Sequence, residues 1–130
     1  MKQNIEKSAK LMDETYDMLQ AILKDNISTL IFGTPSVGTM PNAMFLSAFN
    51  ILINQFNLAS RFCLAEILEG GNTEAVTKIL DESVCNISVM TEMIEHEFVD
   101  TVLSKNNDIA TAFYKFADKV AELRKAYYAE

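Results

Sequence analysis

Apolar residues recur along this chain at intervals of three and four, the repeat of a helix with one buried side. Glycine and proline interrupt the pattern in two places only. Gly33, Pro35, Gly38 and Pro41 form one zone, and Gly70-Gly71 forms the other. Elsewhere the chain carries neither, which predicts long helices. A third, weaker break is Lys105-Asn106-Asn107-Asp108, because Asn and Asp are good helix caps.

The first helix is predicted over about residues 3–32, with Ile5, Met12, Tyr16, Leu19, Ile22, Leu23, Ile27 and Leu30 on its apolar face. The second is predicted over about 41–69, with Pro41 in its first turn, where a missing N–H costs nothing. The third is predicted over about 73–104, carrying Val76, Ile79, Leu80, Val84, Ile87, Ile94, Phe98 and Val102. The fourth is predicted over about 108–129. Its stripe of Ile109, Phe113, Phe116, Val120, Leu123 and Tyr127 is the most regular heptad in the chain. Asp108 suits the start of that helix and Arg124-Lys125 its end, given the helix dipole.

Short β-branched runs such as Ile51-Leu52-Ile53 lie inside longer helical repeats, so length favours helix. The expected fold is all-α: one domain over residues 1–130, an antiparallel, up-down-up-down four-helix bundle with long helices. At 1.5 Å per residue the first three helices would span roughly 43–48 Å and the fourth about 33 Å. The fourth is thus expected to stop roughly 10–15 Å short of the end where residues 1–12, 62–69 and 73–80 meet.

Charge changes this picture at one place. Between Asp25 and Arg61 no residue is charged, although the net charge is −7. Charges keep the outer face of a helix in water, so a long stretch without them predicts a covered surface. In helix two, Ser47, Asn50, Asn54, Asn57 and Arg61 make one narrow polar stripe. Phe45, Phe49, Leu52, Phe56, Cys63 and Ile67 centre opposite it and suit a bundle core. Met44, Ile51, Leu58 and Phe62 form a separate flank, about 100–120° from that core line. One core needs an apolar stripe somewhat over 100° wide, and this helix offers roughly twice that. Either neighbouring helices of the same chain cover the flank, or a second copy or partner does, or lipid does. Asn26 falls on the apolar face of helix one. It either fixes register in a buried place or reaches water or a loop carbonyl near the helix end.

Composition narrows the classes. With 49% hydrophobic residues the chain is not disordered, and it is long enough to enclose a core. A pI near 4.7 and scattered basic residues exclude a nucleic-acid backbone as the main partner. The polar start after Met1 gives no secretory signal, and the longest apolar stretch, 43–68, is too interrupted by polar residues for an integral membrane span. Cys63 and Cys85 match no zinc or redox spacing. Both are expected to be reduced, unlinked and buried as small hydrophobes, which with the missing signal points to the cytoplasm.

Candidate chemistry is thin. Gly33-Thr34-Pro35-Ser36-Val37-Gly38 has the frame of a phosphate loop, but Thr39 and Met40 stand where Lys and a hydroxyl are needed. His96 is the only histidine, so the paired Glu-x-x-His of a di-iron bundle cannot form. Glu92 and His96 read as an exposed i, i+4 pair. Asp13, Glu14 and Asp17 read as a solvated face. Cys85 and His96 would lie roughly 16 Å apart along one helix, too far for nucleophile and base.

No enzyme, metal site or cofactor is therefore expected. The expected function is a non-enzymatic scaffold or interaction module that self-associates, a dimer being favoured, or that pairs with another helical protein. Its contact would be the flank Met44, Ile51, Leu58 and Phe62, with Asn50, Asn54 and Asn57 at the polar edge. The alternative is a binder or carrier of an apolar ligand or surface: lipid, a granule or a hydrophobic small molecule. Seven methionines, including Met40, Met44, Met90 and Met93, would suit an adaptable pocket.

Overall fold

In the computed structural model the chain is described over residues 2–33, 39–68 and 73–129. Side chains at 2–4, 39, 58, 60–68, 73 and 76 lie outside that description. The described residues form α1 (Lys2–Phe32), α2 (Thr39–Leu68), α3 (Thr73–Phe98), α4 (Val102–Lys105) and α5 (Asn107–Tyr128), with no strand among them. The all-α class expected from the repeat is what forms, as a bundle-like packing of helices.

Local chemistry sets the helix ends. Gly33 takes φ 75°, the left-handed region where a side chain would be strained. Its N–H donates to the Thr29 carbonyl at 2.8 Å, which stops α1. The Asn42 amide, buried at the start of α2, donates to the same carbonyl at 3.2 Å. At the other cap, the Asn106 side chain accepts from the N–H of Ile109 at 3.0 Å and opens α5, as the Asn-Asn-Asp break predicts.

α1 packs beside α2 and α5, and α3 packs beside α2 and α5. The predicted core lines are largely the observed ones. Met12, Leu19 and Leu30 of α1, Leu80 and Ile87 of α3, and Ile109, Phe113, Phe116 and Leu123 of α5 are all buried. The middle is aromatic. Phe45 of α2 meets Phe98 edge-on at 5.2 Å between ring centres, Phe49 meets Phe113 at 6.1 Å, and Phe56 meets Phe116 at 6.0 Å. Each such ring, fully buried, contributes about 1.5–3 kcal/mol of apolar transfer.

Three expectations need correction. The third helix does not run to 104. It stops at Phe98, where the N–H of Thr101 donates back to the Phe98 carbonyl at 3.2 Å and closes a turn. That turn lets Val102 and Leu103, adjacent in sequence, both point inward over the end of the core. The shorter α3 also changes the far end. Tyr127 of α5 reaches the Thr77 carbonyl at 3.3 Å and the Asp81 carboxylate, so α5 extends to within about one turn of the start of α3. The expected shortfall therefore does not arise on the α3 side.

Second, Ile27 is not in the core; it is exposed, while Leu23 is half-buried against the core. At 100° per residue Ile27 lies about 60–80° off the Met12–Leu19–Leu30 line. Third, Cys85 is free, as expected, but exposed rather than buried. The core line of α3 passes through Val84 and Ile87, and Cys85 turns away from it. Cys63 lies outside the described side chains.

Candidate functional site

The uncharged stretch yields an uncharged surface. Along α2 the exposed positions include Met40, Ala43, Met44, Ser47, Asn50, Ile51, Asn54 and Asn57, none of them ionisable. Met44 is 50% exposed and Ile51 57% exposed, so neighbouring helices of the chain do not cover this part of the flank. Leu58 and Phe62 lie in α2, but their side chains are outside the described set.

Met44 and Ile51 form one wall of a groove between α2 and α3, with a volume of about 580 Å³. Met90 and Met93 of α3 form the other wall, and Ala48, Ile94 and Phe98 lie between them. The small side chains at Ala43, Ser47 and Ala48 leave the space open, and flexible thioethers line it. Met93 is 64% exposed at the rim. Glu97 is the single ionisable residue in the lining. Its position, one residue before the inward Phe98, turns it to the groove; the apolar pattern alone does not reveal it.

The asparagines divide. Asn54 is exposed along the middle of the α2 face, and Asn50, exposed too, lies two turns before Asn57 on nearly the same line. Asn57 turns to the other edge, where its side-chain oxygen accepts from the Tyr16 hydroxyl of α1 at 3.4 Å. Gln20 donates to that hydroxyl at 3.1 Å. Asn57 therefore belongs to the α1 edge and not to the groove with Met44 and Ile51. Asn26 is half-buried rather than buried, and its amide donates to the Ile22 carbonyl of its own helix at 2.8 Å and not to a loop carbonyl.

The other candidates are less organised. The phosphate-loop frame at 34–38 lies outside the described residues. Glu92 and His96 are exposed on α3. Among the described residues no three His, Cys, Asp or Glu side chains are grouped so as to hold a metal ion. No described helix is long and apolar enough to cross a membrane. A second groove, of about 720 Å³ between α3 and α5, is lined by Glu92, Glu95 and Asp118 and by Arg124 and Lys125. Its mixed charges suit water, in contrast to the α2/α3 groove. Glu14, expected on a solvated face, stays exposed and also pairs with Lys119 of α5 at 3.1 Å.

In comparisons with known proteins, no family model, no curated protein and no solved structure matches this chain.

Proposed function

We propose that this chain is a non-enzymatic helical scaffold that self-associates through the outer face of α2. The observation that carries the reading is the exposed, uncharged α2 face from Met40 to Asn57, in a chain of net charge −7. Copies of an acidic protein repel one another, so a contact between them is best placed where neither carries charge. Exposed amides at Asn50 and Asn54 can hydrogen-bond across such a contact without the desolvation cost of ions.

The scaffold is a single domain, an antiparallel up-down-up-down bundle of four long helices with α4 as a cap. Two contacts along α1 support the direction of α2: Tyr16, at the middle of α1, meets Asn57, and Thr29, near its end, meets Asn42. Tyr127 near Thr77 supports an α5 that runs against α3. A cytoplasmic place fits the free, exposed Cys85.

Light scattering on a sizing column tests the function. The wild type is expected to be a dimer at micromolar concentration, and Met44→Arg/Ile51→Arg is expected to be a helical monomer. A wild type that stays monomeric across that range overturns the reading. A second reading, a carrier of an apolar molecule, is favoured by the groove alone, whose volume of about 580 Å³ matches ligand sites. Native-state uptake of an apolar dye by a monomer would decide for it.

A further inference from the structure

The two edges of the α2 face differ in shape. One edge is the concave groove between α2 and α3. The other carries a ridge on α1, formed by Lys24, Ile27 and Ile31 at three- and four-residue spacing, all exposed. Ile27 is 42% and Ile31 52% exposed, unusual values for isoleucines inside a helix. The steps from Tyr16 to Gln20, Ile27 and Ile31 are 4, 7 and 4 residues, which keep one side of α1. Tyr16 on that side meets Asn57 of α2. The ridge therefore stands beside α2 on the edge opposite the groove.

We infer that the occupant of the groove is this ridge from a second copy, in a two-fold dimer whose axis runs along α2. The inference rests on the self-association reading and names the segment that fills the groove. A half-turn about a line along the outer surface of α2 lays one copy on the other, exchanges the edges and keeps every height. Each α1 ridge then lies over the other copy's groove, both contacts are made twice, and α2 faces α2 in parallel. A half-turn about a line across α2 would set ridge on ridge and groove on groove, leaving the grooves empty.

The heights agree. Thr29 stands beside Asn42 and Tyr16 beside Asn57, so Lys24 is level with about residue 48 of α2. Phe98 packs on Phe45, so Glu97 is level with about residue 46, a difference of roughly 3 Å. The charges agree too. Lys24 is the one charged member of the ridge, and Glu97 is the one ionisable residue of the groove. By the same heights Ile27 is level with about residue 45 and Ile31 with about residue 41, so Ile27 meets Met44 and Phe98 and Ile31 meets Met40, while the methylenes of Lys24 pass Met93; the thioethers adapt to a branched knob. The exposed parts of Ile27, Ile31, Met40, Met44, Ile51 and Met93 offer on the order of 600 Å² of apolar surface per copy. With the Ser47, Asn50 and Asn54 stripe the contact approaches the roughly 800 Å² per partner of a stable interface.

Charge reversal tests the register. Lys24→Glu and Glu97→Lys each make the pair repulsive, twice per dimer. Each variant alone is expected to dimerise about tenfold more weakly than wild type by sedimentation. Mixed in equal amounts they restore both pairs, so native mass spectrometry is expected to find heterodimer above the statistical half. Both residues are exposed, and circular dichroism checks that helix is kept. A dimeric wild type whose affinity ignores both reversals overturns the ridge-in-groove register and leaves self-association standing. A monomeric wild type overturns both. A monomer that takes up an apolar dye assigns the groove to a ligand and overturns the inference as well.

Discussion

α5 and α2 send phenylalanines into the same core and turn opposite kinds of surface outward. Phe113 and Phe116 of α5 and Phe45, Phe49 and Phe56 of α2 are all buried. Outside, α5 shows Lys115, Asp118, Glu122, Arg124 and Lys125, whereas the described outer face of α2 shows Met, Ser, Asn and Ile. The larger aliphatic and the phenylalanine side chains of α5 lie in one narrow stripe, and its charged residues complete the helix toward water. The apolar side chains of α2 extend around its girth, and the chain covers only part of them. Two helices can thus serve one core equally well and still differ in how much apolar surface they leave outside it.

The largest expected effect tests whether the core stripe and the flank are distinct. Phe113→Ala removes a fully buried ring that meets Phe49 and Phe116 and is expected to cost about 3–5 kcal/mol of stability. Ile51→Ala, at an exposed position, is expected to stay within about 0.5 kcal/mol in the dissociated chain. Urea titrations at concentrations below dimerisation would measure both. A comparable loss at Ile51 would mean that the flank belongs to the intramolecular core.

This contrast between stripe and flank was readable from the sequence, because both depend on helical spacing. The heptad of α5 named its buried residues, with Tyr127 half-buried at the end. The gap in charge located the uncovered face. What the spacing could not supply were effects of chain turning. Nothing in Val99-Asp100-Thr101 marks a break, since it holds no Gly or Pro; the chain turns there because Val102 and Leu103 both find the core. Cys85 and Ile27 were misplaced because hydrophobic type was weighed above angular position. Ile27 and Ile31 gain meaning only beside α2, a tertiary relation that no single-helix pattern contains. Glu97 was missed for the same reason, since a lone carboxylate near Phe98 looks like ordinary solvated surface.

A smaller effect concerns how α5 begins. Asn106 takes an extended backbone, φ −136° and ψ 102°, and its side chain accepts from Ile109 N–H. Asn106→Ala leaves that donor without its cap and is expected to cost about 1 kcal/mol. Asn106→Asp keeps an acceptor and is expected to retain most of it. Thermal melts of the two variants would check this. Equal losses in both would mean that the turn around Thr101, and not the cap, starts α5.

The smallest effect is the clearest in sign. Lys119 holds the outer edge of α5 to α1 through Glu14, with Glu122 of its own helix at 3.5 Å. The hydrogen bond to Glu14 raises the lysine above its ordinary 10.5; desolvation opposes the shift, and the charges of Glu122 and Glu14 add to it. A base whose folded pKa is raised contributes stability fully below its unfolded pKa and loses it as pH rises through the folded one. The Lys119 contribution is therefore expected to be constant through neutral pH and to fade only above about pH 10.5. Lys119→Met is expected to melt slightly below wild type at pH 7, the gap closing as pH passes that range. Partly exposed ion pairs are weakly stabilising, so the gap is expected to be small and to shrink with salt. A gap at Lys119 that persisted above pH 11 would show that its methylenes, and not its charge, hold α5 against α1.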